Sequence, residues 1–294
     1  SLPNVTVFNG EASFISGDEI IIDDVIITGK QIVIATGATP VIPEIDGLSK
    51  VSYHTSDTIM RIAELPKRLG IIGGGYIAVE LAHVFSSFGC EVTMLVRGNT
   101  LISKEDLSIR ERFNKVFQEK VDLRFEATVS KVRQGSNGIR LNFEDETLDV
   151  LEVDELLLAT GRLPDLDSLK IRAANIATTD GYIVTDQYMR TTADNIWALG
   201  DVTNPAQLKH TANAEAKIVS HNLINKKLIK VDLDPTPHAI FSNPQVASVG
   251  YTEQDAKAAE MQYVVAVEEY GDVAYGWAME EKTGICKVIA DPRS

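Results

Sequence analysis

The run Leu69-Gly70-Ile71-Ile72-Gly73-Gly74-Gly75-Tyr76-Ile77-Ala78 constrains this chain more than any other stretch. An apolar segment ends in glycines, YIAVELAHVFSSFG continues with apolar residues at helical spacing, and EVTMLV is again strand-like. Strand, glycine turn, helix and strand follow one another within about 30 residues, which predicts a βαβ unit and an α/β fold. Gly73, Gly75 and Ala78 form a G-x-G-x-x-A pattern. Gly73 permits the tight turn off the strand. The missing Cβ of Gly75 lets the backbone approach a pyrophosphate, and small Ala78 lets helix and sheet pack closely. The helix beginning near Tyr76 and Ile77 aims its N–H groups and positive dipole end at the phosphates. A glycine run alone is a common turn; its place between strand and helix favours a dinucleotide site.

The end of the next strand tells which dinucleotide. An NAD site places a carboxylate there to accept hydrogen bonds from the ribose 2′-OH. Here the strand ends Met94-Leu95-Val96-Arg97, without an acid. A guanidinium welcomes a 2′-phosphate that an acid would repel, and NADPH is favoured over NADH. The alternatives are a solvated loop residue for Arg97 and a plain surface lysine for Lys104, which otherwise adds a second phosphate contact. Farther on, Thr191-Thr192 precede NIWALGDV. A strand ending in Gly200-Asp201 brings the Asp201 carboxylate to a sugar hydroxyl, with a helix starting near Ala206–Lys209 behind it. The alternative is a helix-capping aspartate.

Around these motifs the texture varies. Residues 1–40 alternate short β-branched runs with turns such as Asn9-Gly10, which predicts strands. PVIPEIDGL at 40–48 marks a boundary and LDPTPH at 233–238 a second junction. EDLSIRERFNKVFQEK at 105–120 predicts an amphipathic helix, followed by a strand, a small antiparallel meander and a final buried strand ending ELLLATG. PAQLKHTANAEAKIVSHNLIN at 205–225 predicts a long helix. Beyond it, strand-like pieces with one helix begin an α+β domain.

Composition narrows the function. With 294 residues, about two domains of ordinary size are expected. There are 28 basic and 42 acidic side chains, a formal charge of −14, which disfavours phosphate backbones and anionic lipids. Adjacent basic pairs occur only at 67–68 and 226–227, so no nucleic-acid partner is expected. No apolar run reaches the roughly 18 residues of a membrane span. Cys90 and Cys286 have neither disulfide-framework nor zinc spacing and read as core thiols of a reducing compartment, with no metal expected. A first residue that is serine, without a leader pattern, suggests a cytoplasmic protein and an excerpt of a longer chain.

IIGGGYIAVELA, the ATG phrases at 35–37 and 159–161, and NIWALGDV, in that order, resemble the pyridine nucleotide-disulfide oxidoreductases, flavoenzymes that pass reducing equivalents to disulfides. The resemblance runs the length of the chain. It implies a Rossmann-like fold of two nucleotide-binding domains plus the start of an α+β dimerisation domain. FAD-binding parts would span 1–47 and 172–235, an NADPH domain 48–171, and the dimerisation domain 236–294. It implies that Gly73 to Glu80 and Arg97 bind NADPH, with Tyr76 over the flavin and Glu80 near the nicotinamide. Gly161 would line the same cofactor, Gly37 would join the cofactor-binding set, and Asp201 would hold the FAD ribityl chain. Leu208, Lys209 and His210 would sit under the flavin's pyrimidine edge. Ser103 stands where the family's glutathione reductases carry a second arginine, which leaves NADPH preference on Arg97. A homodimer acting on a small-molecule disulfide is implied. No catalytic residue falls in this segment: the redox cysteines and the catalytic His-Glu pair would lie outside it, and His54, His83, His221 and His238 read as ordinary surface or core residues. Two alternatives remain, a dihydrolipoamide dehydrogenase-like or other flavin disulfide oxidoreductase, and a dinucleotide-binding module without catalysis.

Overall fold

The computed structural model describes residues 3–232 and 235–293; Leu233 and Asp234, within the junction expected at 233–238, lie outside the described residues. Six α-helices occur among them: α1 (Tyr76–Ser87), α2 (Leu107–Phe117), α3 (Leu166–Leu169), α4 (Lys209–Ile224), α5 (Glu253–Ala258) and α6 (Ala274–Ala278). The chain divides into two compact units, one of Ser1–Thr39 with Arg162–Asp234, the other of Pro40–Gly161 with Pro235–Ser294.

The second unit is built on a five-stranded parallel sheet. Its order is His54–Thr55, Glu155–Leu158, Arg68–Ile72, Glu91–Val96, Asp122–Phe125. Both faces are covered, which is why the strands read as unbroken apolar runs. Leu69, Ile71, Met94 and Leu157 pack against Ala78, Val79, Ala82 and Phe85 of α1 and Phe113 and Phe117 of α2. On the opposite face Leu95, Leu156 and Leu158 meet Val132, Ile139, Leu141 and Phe143 of the antiparallel meander. The alternation of Leu156, Leu157 and Leu158 between the two cores is the period-two signature of a strand. The chain runs from Arg68–Ile72 outward through the next two strands, then returns to the other side, so the order reverses beside Arg68–Ile72.

The helix expected at 105–120 is shorter, Leu107–Phe117. Asp106 caps it by accepting a hydrogen bond from the Ser108 N–H, and Glu105 is drawn out of it by partners from the C-terminal segment. That segment contributes two antiparallel hairpins, His238–Ile240 with Val246–Ser248 and Val264–Glu269 with Ile285–Ala290. α6 was not legible in the sequence: AYGWA is too short to show a helical period.

In the other unit, Ala12–Phe14, Glu19–Ile22 and Val25–Thr28 form an antiparallel sheet. Ile32–Ile34 pairs in parallel with Ile196–Ala198, in the register Ile32 to Ile196. Phe14, Ile32, Ile34, Ile171, Ile183 and Ile196 share its main core. α4 begins at Lys209, inside the stretch from 205 to 225.

Candidate functional site

The carboxyl edge of the parallel sheet gathers the first constellation. Strand Arg68–Ile72 runs directly into Gly73, whose φ of 142° is open to glycine and whose added Cβ would strike the Ala159 carbonyl. The Gly73 N–H donates to Leu95 O (3.0 Å) and the Ala159 N–H to Ile72 O (2.9 Å), so the turn is tied to both neighbouring strands. Gly75 is the N-cap of α1, no side chain caps that helix, and a Cβ built on Gly75 meets nothing within 4 Å. Open space before an uncapped helix N-terminus, at the point where strand order reverses, is what an incoming pyrophosphate requires. Tyr76, Ile77 and Ala78 form the first turn of α1, with Ala78 fully buried against the sheet. Gly161 ends the adjoining strand connection with φ 126° and open space around its Cα.

Arg97 follows the end of the Glu91–Val96 strand and is exposed. Because that strand is parallel to Arg68–Ile72, with Ile72 opposite Leu95, Arg97 and the glycine turn lie on the same edge. No carboxylate among the described residues pairs with Arg97. One turn along α1, Glu80 is half-buried and its Oε1 accepts the Phe241 N–H at 2.8 Å. Lys104 is exposed.

The first unit assembles the second constellation. A cleft of about 360 Å³ is lined by Ala35, Gly37, Gly200, Asp201, Gln207 and Lys209. It brings Gly37, from the expected cofactor-binding set, together with Asp201 and Lys209, expected on the flavin nucleotide, although Gly37 lies more than 160 positions before them in sequence. Asp201 lies in a single 3-10 turn, Gly200–Val202. Leu208 is the N-cap of α4 without a side-chain cap, and Lys209 and His210 open the helix. The cleft has room for a portion of a flavin nucleotide, and its donors and carboxylate suit a sugar chain and a polar ring edge. A larger cleft of about 530 Å³, beside Asp165, Lys170 and Arg172, includes none of the expected site residues.

Glu215 was not singled out in the sequence, yet it holds this turn. It is buried in α4; its Oε2 accepts the Gly200 N–H at 2.6 Å and its Oε1 the Asn204 amide at 3.1 Å. Burial pushes its carboxyl above the ordinary value, and the Asp201 charge adds to this, against the two hydrogen bonds. Four residues of helix spacing from Thr211 to Glu215 mark a buried face, but nothing local marks a buried acid.

Of the two thiols expected in the core, one is there. Cys90 is a core thiol, pushed up to about 11 by burial, but Cys286 is exposed, because alternate side chains of the Ile285–Ala290 strand face outward. His238 is half-buried; its Nε2 lies 2.6 Å from Glu105 Oε1, and the Ser248 hydroxyl donates to the other Glu105 oxygen. Nearby, Lys287 Nζ reaches Asp106 Oδ1 and Glu253 Oε2, each at 2.7 Å. Burial alone would raise the Asp106 carboxyl, but Lys287 and the N–H groups of Glu253 and Ser108 hold it at about 2. Lys287, with Lys257 and Tyr263, likewise holds Glu253 at about 2. Among the described residues no group of three or more His, Cys, Asp or Glu could hold a metal ion, and no helix is long and apolar enough to cross a membrane.

Residues 3–217 match the model of the pyridine nucleotide-disulphide oxidoreductases, and residues 236–294 that family's dimerisation domain. Mycothione reductase of Mycobacterium tuberculosis is 44% identical over 269 residues, covering 90% of this chain and 58% of its own length. Mercuric reductase of Staphylococcus aureus is 35% identical over 291 residues, covering 98% of this chain and 53% of its own. The HOCl-induced flavoprotein disulfide reductase RclA from Escherichia coli superposes with a TM-score of 0.89 at 32% identity, over 99% of this chain and 67% of that one. The chain thus spans little more than half the length of the two curated relatives.

Proposed function

Because this chain belongs to the pyridine nucleotide-disulphide oxidoreductases, we propose that it is the central stretch of an FAD-dependent, NADPH-linked disulfide reductase, and specifically of a mycothione reductase. The observation that supports NADPH is Arg97: an arginine without a carboxylate partner among the described residues, on the sheet edge that holds the glycine turn. The narrower substrate reading is supported by 44% identity to a mycothione reductase over 90% of the chain. When bound, the nicotinamide supplies a hydride and the flavin relays the electron pair to a disulfide, so that NADPH, a proton and one disulfide give NADP⁺ and two thiols.

The residues of this chain orient and bind. Gly73 sets the turn, Gly75 leaves the approach open, and the N–H groups at Tyr76, Ile77 and Ala78 meet the pyrophosphate. Arg97 binds the 2′-phosphate. Glu80, tethered by the Phe241 N–H, and Tyr76 serve the nicotinamide end, with Gly161 beside them. Asp201 and Gly37 hold the flavin's sugar chain, and Leu208, Lys209 and His210 its pyrimidine edge. Segments 1–47 and 172–235 act as FAD domain and 48–171 as NADPH domain. Residues 236–294 serve a homodimer, and the enzyme works in the cytoplasm. Neither buried Cys90 nor solitary Cys286 is placed for dithiol exchange, so that chemistry is assigned to residues outside this sequence.

The test is steady-state reduction by the whole protein, with NADPH and NADH as donors. The acceptors are mycothiol disulfide, glutathione disulfide, a lipoamide and Hg(II). NADPH with mycothiol disulfide is expected to give the highest kcat/KM. A preference for NADH defeats the cofactor assignment, and a better rate with another acceptor defeats the substrate assignment. A purified whole protein without yellow flavin points to the binding module instead.

A further inference from the structure

Resting on the NADPH reading, we infer that Arg110 is a second specificity-determining residue, which shares the 2′-phosphate with Arg97. Arg110 lies on α2, and its Nη1 donates to Ser103 O at 3.0 Å. Ser103 follows Ile102, whose N–H donates to Gly74 O at 2.7 Å. The guanidinium is therefore tied to a loop that is itself tied to the glycine turn, on the sheet edge where Arg97 emerges.

That loop is held firmly. Asn114, one helical turn beyond Arg110, donates its amide to Thr100 Oγ1 (2.8 Å) and accepts the Leu101 N–H (3.2 Å). Arg110 and Asn114 thus present one face of α2 to residues 100–103. Ile102 is buried with φ 43°, a left-handed conformation that a β-branched residue keeps only where its surroundings over-determine it.

Two of the acids closest in sequence have cationic or hydroxyl partners of their own, although the net charge is −14 and exposed Glu126 is bonded through its N–H to Gly98 O. The two acids that follow Lys104 are engaged elsewhere: Glu105 by His238 and Ser248, Asp106 by Lys287. No carboxylate among the described residues pairs with Arg97 or Arg110. One of Arg110's five donors goes to Ser103 O, a bond that aims the guanidinium without neutralising it. Arg97 and Lys104 flank the loop to which Arg110 is bonded, and the side chain of Ser103 within it has no charge to offer.

The test is calorimetric binding of two probes to the purified whole protein, adenosine 2′,5′-bisphosphate and AMP, which differ only in the 2′-phosphate. Arg110→Met is expected to weaken the bisphosphate about tenfold and leave AMP unchanged, with Arg110→Lys in between. Equal loss for both probes would make Arg110 a structural clip, and no loss for either would make it a bystander; either result overturns the inference. Arg97→Met separates this from the underlying reading. If Arg97→Met weakens the bisphosphate and Arg110→Met does not, only the role of Arg110 fails. If wild type binds both probes equally, the NADPH reading fails with it.

Discussion

The turns at Gly73 and Gly200 both follow a strand of a parallel pair, both carry a glycine with positive φ (142° and 77°), and they are held by opposite means. Gly73 is shaped by steric exclusion, since the Ala159 carbonyl occupies the place a Cβ would need. At Gly200 the nearest neighbour of an added Cβ is Ala212 Cβ at 3.4 Å, and the turn is held by the buried carboxylate of Glu215. A sterically set turn is rigid whatever the pH. A turn held by a buried acid depends on that acid keeping its hydrogen bonds, because an unmade bond in a dry interior costs more than a made one contributes.

The largest expected effect tests the steric half. Gly73→Val places a β-branched side chain at positive φ against a backbone carbonyl and should destabilise its unit by about 3 kcal/mol or more. A melting temperature close to wild type would show the turn can relax. Next comes Glu215→Ala, which strands the Gly200 N–H and the Asn204 amide and should cost about 1–3 kcal/mol, with Glu215→Gln milder because its carbonyl still accepts. Equal melts for Ala and Gln variants would mean the carboxylate is not what holds the turn.

Acidity should separate the two units more gently. Glu215's raised carboxyl binds its proton more tightly folded than unfolded. Its contribution is complete below the ordinary value of 4.5 and fades as pH rises through the folded value. Asp106 and Glu253 are depressed to about 2 from 3.8 and 4.5; their contribution is complete above those ordinary values and is lost as pH falls toward about 2. Hydrogen exchange, corrected for intrinsic rates and followed from pH 7 downward, should therefore show α2 loosening before α4. The reverse order would contradict both assignments. The smallest effect on stability is expected for Arg97→Met, within about 0.5 kcal/mol because the side chain is exposed. A larger loss would mean Arg97 has a structural partner.

What could be read from residues alone was local. The glycine turn, the βαβ order and the apolar runs of the central strands follow from steric demands and from periods of two and 3.6, which a short window displays. The Cys286 strand and the helix at 105–120 were read with the right element type, but the exposure of the thiol and the departure of Glu105 from the helix were not. Only the tertiary structure decided that Glu215 reaches back 15 positions to Gly200, that His238 meets Glu105 across 133, and that Arg110 leans on Ser103. Such pairings leave no period and no composition bias. A charged side chain finds its partner only after the backbone has brought distant segments together, and the free energy that selects the pair comes from burial that the linear chain does not yet have.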